Sequence, residues 1–339
     1  MIDSNNTESS ACTIALAADD NFFPHMGTLI VSILENRKKN RFFEFYVLDG
    51  GISHKNRMLL QQCVLSYKNT AINHINTKSA LKKCMVRKPF TQDSYSRLLL
   101  DTLLPNHEKV LYLDSDMIVE ECISSLYDIN VDSVSIAAVF DYIMHYFCRI
   151  KTRSTKETGG IEARDYLMNC LDMGDAWKYY FQSGTLLFNL KKIREKKLFP
   201  EMIEKSKIYP YWYIDQDLLN QYLYDDVLLL DARWNVVNMP QKVIDGLSFK
   251  MQNEIQQAMH QPSIIHFAGW TGKPWNNPEA RFSDRYWEYL QKTPWLNQVK
   301  KPTHLLKMDK NGNFFLRFFK RFSESIRKRY LHKDFYRSP

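Results

Sequence analysis

The chain has 339 residues, 45% hydrophobic, 25% charged and 14% aromatic, enough for one large core or one domain with an appendage. Candidate elements dense in Leu, Ile, Val and Phe exclude wholesale disorder, and the uncharged stretch 21–34 is shorter than the ~18 apolar residues of a membrane span. Net charge is +8, but residues 300–339 carry 12 basic against 3 acidic side chains and leave the first 299 residues at −1, which argues against the basic groove of a duplex-binding protein.

In chain order, the apolar run TIALAA (13–18) ends at Asp19-Asp20-Asn21. A helix is predicted over 26–35, then a strand at FEFYVLD (43–49), whose aromatic and β-branched content stops at Gly50-Gly51. Ser53 reads as the N-cap of a helix over 53–66. A weaker strand at 71–75 and a helix around 95–104 lead into the run KVLYLDSDMIV (109–119). This strand-helix alternation predicts an α/β fold with a mainly parallel sheet covered on both faces, whose ligand crevice lies at the carboxyl ends of the strands. Beyond Asp141 the pattern loosens, and 145–176, with Arg149, Lys151, Arg153, Lys156 and Gly159-Gly160, reads as a mobile excursion. Order returns with GTLLFNL (184–190), a helix near 191–206, another beginning near Asp215, and two further strands, DVLLLD (226–231) and SIIHFAG (263–269).

The basic end has a pattern as well as a charge. Phe315, Phe319, Phe322, Ile326 and Tyr330 recur at helical spacing, with Arg317, Lys320, Arg321, Glu324 and Lys328 on the other side. A basic helix with an aromatic face suits an anionic bilayer surface; the alternative is a C-terminal helix docked on the domain. The expected organisation is a polar segment 1–12, a domain 13–293 and a membrane-associating tail 294–339. The opening MIDSNNTESS is unlike the basic start of a signal peptide. Cys12, Cys63, Cys84, Cys122, Cys148 and Cys170, with no CxxC pair, read as reduced thiols of a cytosolic protein.

Asp114 and Asp116 stand two apart after VLYL. On a strand, positions i and i+2 project to one side, so both carboxylates can face one hard divalent cation. The pattern alone is unspecific: 23 Asp in 339 residues give roughly 1.6 such matches by chance, and this chain has two. Position at the end of a buried strand favours the first. The second, Asp215-Gln216-Asp217, is equally readable as a helix N-terminus whose carboxylates complement the dipole. His266 is a core histidine or a third metal ligand suited to Mn²⁺ as well as Mg²⁺. Lys273 is a phosphate anchor or a solvated loop lysine.

Six blocks occur together in order: AADDN (17–21), YSRL (95–98), YLDSDMIV (112–119), FQSGTLLFNL (181–190), DQDLLN (215–220) and HFAGWTGKPW (266–275). Over 13–275 they make the chain resemble glycosyltransferase family 8, in particular its bacterial lipopolysaccharide and lipooligosaccharide galactosyl- and glucosyltransferases, and the basic aromatic tail is similar to theirs. The resemblance implies a GT-A fold, a UDP-galactose or UDP-glucose donor, Mn²⁺ with Mg²⁺ as the alternative, and retention of anomeric configuration. It implies that Ala17, Asp19 and Asn21 hold the uracil end, with Phe22 stacked on the base. Arg97 then helps hold the donor sugar, and Asp114, Asp116 and His266 are the metal set. Gly269 and Lys273 lie at the diphosphate, and Asp141, Asp215 and Gln216 at the donor sugar and reaction centre. Gln182 stands where family members commonly carry Asn at a sugar contact, and the Gly269–Lys273 spacing is one residue longer than usual. The expected acceptor is a lipid-linked saccharide at the inner face of the cytoplasmic membrane, with no nucleic-acid partner. Rival readings are a glycogenin-like transferase with a soluble acceptor and an inactive sugar-nucleotide or lipid-binding protein.

Overall fold

The structure, a computed structural model, describes residues 11–87, 90–269 and 271–303; the amphipathic pattern at 315–330 lies outside them. Ten strands form two sheets. The larger has the order β3-β2-β1-β4-β7-β6-β8, made by β1 (Cys12–Ala18), β2 (Phe43–Asp49), β3 (Thr70–Asn76), β4 (Lys109–Leu113), β6 (Ile136–Phe140), β7 (Phe181–Asn189) and β8 (Val227–Leu230). The smaller is β5 (Met117–Val119), β10 (Ile264–His266) and β9 (Val236–Val237), in that order. In the larger sheet only β7 runs antiparallel, against both β4 and β6. With helices on both faces, this is the GT-A fold.

Residues alternate between two apolar layers along each central strand, as the period of two requires. On β4, Val110 and Tyr112 face one layer and Leu111 and Leu113 the other. The second layer also receives the helix Phe23–Glu35, which begins three residues earlier than its apolar spacing suggests because Pro24 is tolerated in a first turn. Gly27 of that helix is needed for space: a Cβ there would meet the Trp295 ring at 2.4 Å. The helix His54–Leu65 starts as the sequence predicts, with the Ser53 side chain accepting from the Asn56 backbone.

Four expectations are corrected. The run 109–119 is not one strand: β4 belongs to the larger sheet and β5 to the smaller, so Asp114 and Asp116 lie in the crossing between sheets and not on one strand face. The helix expected at 95–104 is a 3₁₀ segment, Gln92–Leu99, followed by the single α-turn Leu100–Leu103. The helix near 191–206 is two, Leu190–Glu195 and Leu198–Ser206, separated at Lys197, whose φ of 54° is left-handed. The segment 145–176 is folded. The helix Tyr142–Arg149 enters it, Arg153 and Glu162 pair across an antiparallel bridge, and Ala163, Tyr166, Leu167 and Leu171 are buried. Its charges mask a core of aromatic and small residues that lack any single period. No helix of the described residues is long and apolar enough to cross a membrane.

Candidate functional site

The acidic and basic residues singled out in the sequence converge at the carboxyl edge of β1 and β4, the edge at which sheets of this kind bind ligands. Asp114 follows β4, Asp116 precedes β5, and His266 closes β10. Two backbone bonds hold the crossing: Asp114 N–H donates to Gly184 at 2.9 Å, and Phe267 N–H donates to Asp116 at 2.8 Å. Because β7 is antiparallel, its start, Gln182-Ser183-Gly184, arrives at this same edge.

One ligand atom each from Asp114, Asp116 and His266 lie within 4.8 Å of one another. His266 Nε2 is 3.2 Å from Asp116 Oδ1 and 3.8 Å from Asp114 Oδ2. Two carboxylates and an imidazole fit a divalent cation of the Mn²⁺ or Mg²⁺ kind. The Lys273 ammonium contacts Asp116 Oδ2 and donates to the Phe267 carbonyl at 3.1 Å, so a cation already sits against this set. Burial opposes ionisation of Asp116, yet Lys273 and His266 together hold its carboxyl well below the usual range.

Arg97 is the second anchor. It is 3% exposed, pairs with Asp114 Oδ1 at 2.7 Å and Asp215 Oδ2 at 3.2 Å, donates to the Ser183 carbonyl, and lies 4.2 Å from the Tyr112 ring centroid. Burial disfavours its charge, but Asp114 and Asp215 outweigh that and raise its pKa. Asp215 is buried as well; burial, only partly offset by Arg97, pushes it up to about 7. Beyond the ion pair with Arg97, its Oδ2 accepts no hydrogen bond among the described residues, a buried acceptor suited to a hydroxyl donor.

Gln216 and Asp141 form the third group. The Gln216 Oε1 accepts from Ser183 N–H at 3.1 Å, while its Nε2 donates to Asp141 Oδ2 at 2.8 Å and the Tyr180 hydroxyl at 3.2 Å. A backbone donor at one end and a carboxylate at the other leave the amide one orientation. Asp141 caps the helix Tyr142–Arg149 through Met144 N–H at 2.8 Å, and burial pushes it up to about 6. Asp217, the partner of Asp215 in the second D-x-D, turns away. It accepts from the Tyr166 and Tyr180 hydroxyls and from Tyr213 N–H, so it serves the helix start and the core.

At the far end, Asp19 accepts from the backbone of Asn21 and Phe22 and from the Asn21 amide, shaping the turn after β1. The Ala17 carbonyl accepts from Ser115. Phe22 is 38% exposed and stands edge-on to Trp275, with the Lys273 ammonium 5.4 Å from the Phe22 ring centroid and 5.3 Å from that of Trp275. Gly269 has a φ of +72°, open to glycine without strain. The edge thus runs from an aromatic turn, past an ammonium and a metal-competent triad, to buried carboxylates and a fixed amide.

A model of the family "Glycosyl transferase family 8" matches residues 13–279. The chain belongs to glycosyl transferase family 8. It is 28% identical to general stress protein A of Bacillus subtilis (strain 168), over 85% of this chain and 96% of that protein. It is 24% identical to the lipopolysaccharide glucosyltransferase WaaO of Escherichia coli (strain K12), over 86% of this chain and 81% of that protein. The solved structure of the WbbM bifunctional glycosyltransferase superposes with a TM-score of 0.79 at 29% identity, over 87% of this chain and 52% of the WbbM chain, so the chain spans about half of that protein. Membership makes the chain a glycosyltransferase, and the triad at its D-x-D crossing fits the divalent metal of the family.

Three residues of this family 8 site were not singled out in the sequence. Gly184 lies against the imidazole: a Cβ there would meet His266 Cε1 at 2.6 Å and Nδ1 at 2.7 Å. A glycine inside a strand pattern is the signal that would have found it. Tyr180 links Gln216 to Asp217. Asn235 has no local signal at all. Its Oδ1 accepts from His266 Nδ1 at 3.0 Å, and its Nδ2 donates to Gln182 Oε1 at 2.8 Å. Gln182 therefore sits behind the imidazole, oriented through Asn235. With the proton held on Nδ1, the Nε2 lone pair faces Asp114 and Asp116, as a metal-bound imidazole needs. Asn235→Leu is expected to weaken Mn²⁺ binding about 10- to 100-fold, measured by electron paramagnetic resonance titration, whereas Asn235→Asp, which keeps the acceptor, stays close to wild type. Equal Mn²⁺ affinity in wild type and Asn235→Leu would refute this role.

Proposed function

We propose that the chain is a retaining hexosyltransferase that moves galactose or glucose from a UDP-sugar to a lipid-linked saccharide of the lipopolysaccharide or lipooligosaccharide core. The observation that carries this reading is the joining, at one sheet edge, of the Asp114–Asp116–His266 triad to the Arg97–Asp215 and Asp141–Gln216 pairs. Similarity to the lipopolysaccharide glucosyltransferase WaaO supports the saccharide acceptor. The uracil end is assigned to Ala17, Asp19, Asn21 and Phe22, and the diphosphate to Gly269 and Lys273. Asp114, Asp116 and His266 would hold Mn²⁺, with Mg²⁺ as the alternative. When bound, the ion supplies positive charge to the diphosphate leaving group.

Lys273 adds a second positive charge to the leaving group, at the cost of its contact with Asp116. Arg97, Asp215, Asp141 and Gln182 are assigned to the donor-sugar side, Gln182 acting through Asn235 and His266. The Oδ2 of Asp215, ion-paired to Arg97 but accepting no hydrogen bond, accepts a sugar hydroxyl on this reading.

Retention arises either from a double displacement, which needs a nucleophile opposite the diphosphate, or from front-face attack in which the departing phosphate takes the acceptor's proton. Gln216 is a neutral amide with its nitrogen committed to Asp141. Asp215 is ion-paired to Arg97, and burial favours its protonated form; both are poor nucleophiles. The front-face path follows, with the Gln216 carbonyl oxygen stabilising positive charge at the sugar. Gln216→Ala is accordingly expected to lose about 10- to 100-fold in kcat, ~1.4–2.7 kcal/mol. Total loss of turnover, together with a kinetically competent glycosyl adduct on Asp215 by mass spectrometry, would favour double displacement. Turnover of UDP-glucose and UDP-galactose with Mn²⁺ tests the reading as a whole, and no hydrolysis or transfer with either would reject it.

The aromatic and basic periodicity of 315–330 supports peripheral attachment to the inner face of the cytoplasmic membrane. A chain ending at Lys300 keeps Trp295, which is buried against Phe23. It is expected to lose binding to anionic vesicles while retaining UDP-sugar hydrolysis. Unchanged vesicle binding in a co-sedimentation assay would reject the attachment.

A further inference from the structure

A cleft of about 740 Å³ opens between the helix Tyr142–Arg149, the folded segment that follows it, and the start of the helix Phe249–His260. None of the groups described at the sheet edge lines it, yet both of its walls begin there. Asp141 caps the first helix, and His145 and Arg149, four and eight residues on, occupy the same helix face; both line the cleft. The opposite wall carries Trp177. From there the chain passes Lys178, whose carbonyl accepts from His145 Nε2 at 2.9 Å, to Tyr180, whose hydroxyl accepts from the Gln216 amide at 3.2 Å. The Asp141–Gln216 pair is thus the common root of the two walls.

The lining chemistry is that of a charged-saccharide site. Arg149, Lys151 and Arg164 line the cleft together with Glu162 and Asp165. Lys151 and Glu162 are 3.9 Å apart, a loose pair that offers hydroxyl partners at little cost. Arg149 and Arg164 are exposed and form no ion pair among the described residues. Arg164 lies 5.2 Å from the Trp177 ring centroid, a stacking that holds the guanidinium plane while leaving its edge to donate. His145 stacks on Trp177 at 5.2 Å, and burial pushes its pKa down to about 4, so the positive charge of the cleft comes from the long side chains. Planar, unpaired guanidinium groups recognise phosphate or carboxylate oxygens in bidentate fashion.

We propose that this cleft binds the part of the acceptor saccharide beyond the sugar that receives the hexose, through an anionic substituent held by Arg149 and Arg164. The proposal rests on the transferase reading above. It explains why the chain folds its 145–176 segment into a wall: that segment carries the groups that recognise the acceptor, at one remove from the groups that hold the donor.

The test uses the full chain and the oligosaccharide released from bacterial lipopolysaccharide by mild acid, intact, phosphatase-treated, or with its carboxylates amidated. Binding is read by isothermal titration calorimetry without donor, in wild type and in an Arg149→Ser/Arg164→Ser variant. The variant is expected to bind the intact oligosaccharide at least tenfold more weakly, to show an acceptor KM raised by a similar factor with kcat nearly unchanged, and to hydrolyse UDP-sugar as wild type does. Loss of wild-type binding on phosphatase treatment identifies a phosphate as the anion, and loss on amidation identifies a carboxylate. Insensitivity to both treatments, or equal affinity of wild type and variant, would overturn the proposal. Absence of UDP-sugar hydrolysis in both proteins would instead reject the transferase reading, leaving the binding result to stand on its own.

Discussion

Asp116→Asn is expected to reduce sugar transfer by more than a thousandfold, to the level that wild type reaches when its divalent metal is chelated. The Asp116 carboxylate is shared between His266 Nε2, 3.2 Å from Oδ1, and the Lys273 ammonium at Oδ2. An amide keeps the shape but removes the negative charge that a hard cation requires, and turns a donor toward either the ion or Lys273. Two further consequences separate this loss from unfolding. Far-ultraviolet circular dichroism is expected to match wild type, because the backbone bond from Phe267 to the Asp116 carbonyl does not involve the side chain. Chelation is expected to lower UDP affinity in wild type and to have no further effect in the variant. Transfer within tenfold of wild type would remove Asp116 from the metal set.

Arg97→Met is expected to cost both activity and stability, and to cost more stability at high pH than at low. The guanidinium counterbalances two carboxylates, the partly buried Asp114 at 2.7 Å and the buried Asp215 at 3.2 Å, and is itself almost fully buried. Removing one partner of a buried ion pair leaves uncompensated charge and costs about 3–5 kcal/mol, a large share of the ~5–15 kcal/mol that holds a domain folded. The sign of the pH dependence follows from Asp215. Its pKa is already raised, to about 7, with Arg97 present to lower it. Without Arg97 it rises further. A carboxyl whose folded pKa lies above its unfolded value contributes no penalty while protonated in both states, and destabilises the fold progressively as pH rises toward the folded pKa. Denaturant titrations at pH 5 and pH 8 are therefore expected to show a larger deficit at pH 8. A deficit below about 1 kcal/mol at pH 8, or one equal at the two pH values, would show that the two carboxylates do not depend on Arg97.

These two variants probe opposite sides of Asp114, which touches both Arg97 and the triad. The coupling means that Asp114→Asn combines both defects, loss of an anionic ligand and loss of the Arg97 counter-charge. Activity and stability are therefore expected to fall together in Asp114→Asn, as they are in Arg97→Met.

Local order within the chain set much of the architecture before any tertiary contact. The runs at 13–18, 109–113 and 184–190 are mostly apolar and 43–49 is rich in aromatic and β-branched residues, so they read as strands, and Ser53 caps its helix through a bond that spans three residues. The six ordered blocks were enough for the family, since each holds its chemistry within about ten residues. Everything that depends on partners far apart in sequence was decided by packing. The D-x-D run has the hydropathy of one strand, and only pairing of β5 with β10, 145 to 149 residues away, pulls Met117–Val119 into a second sheet. The antiparallel course of β7 brings Ser183 to Arg97 and Gln216. Asn235 and Gln182 reach His266 because β9 and β10 pair in parallel next to the start of β7. Periodicity records which face a residue turns to the core. It carries no record of which distant residue meets it there, because burying an apolar face is equally favourable against many partners, whereas a hydrogen bond or a shared charge is satisfied by one geometry.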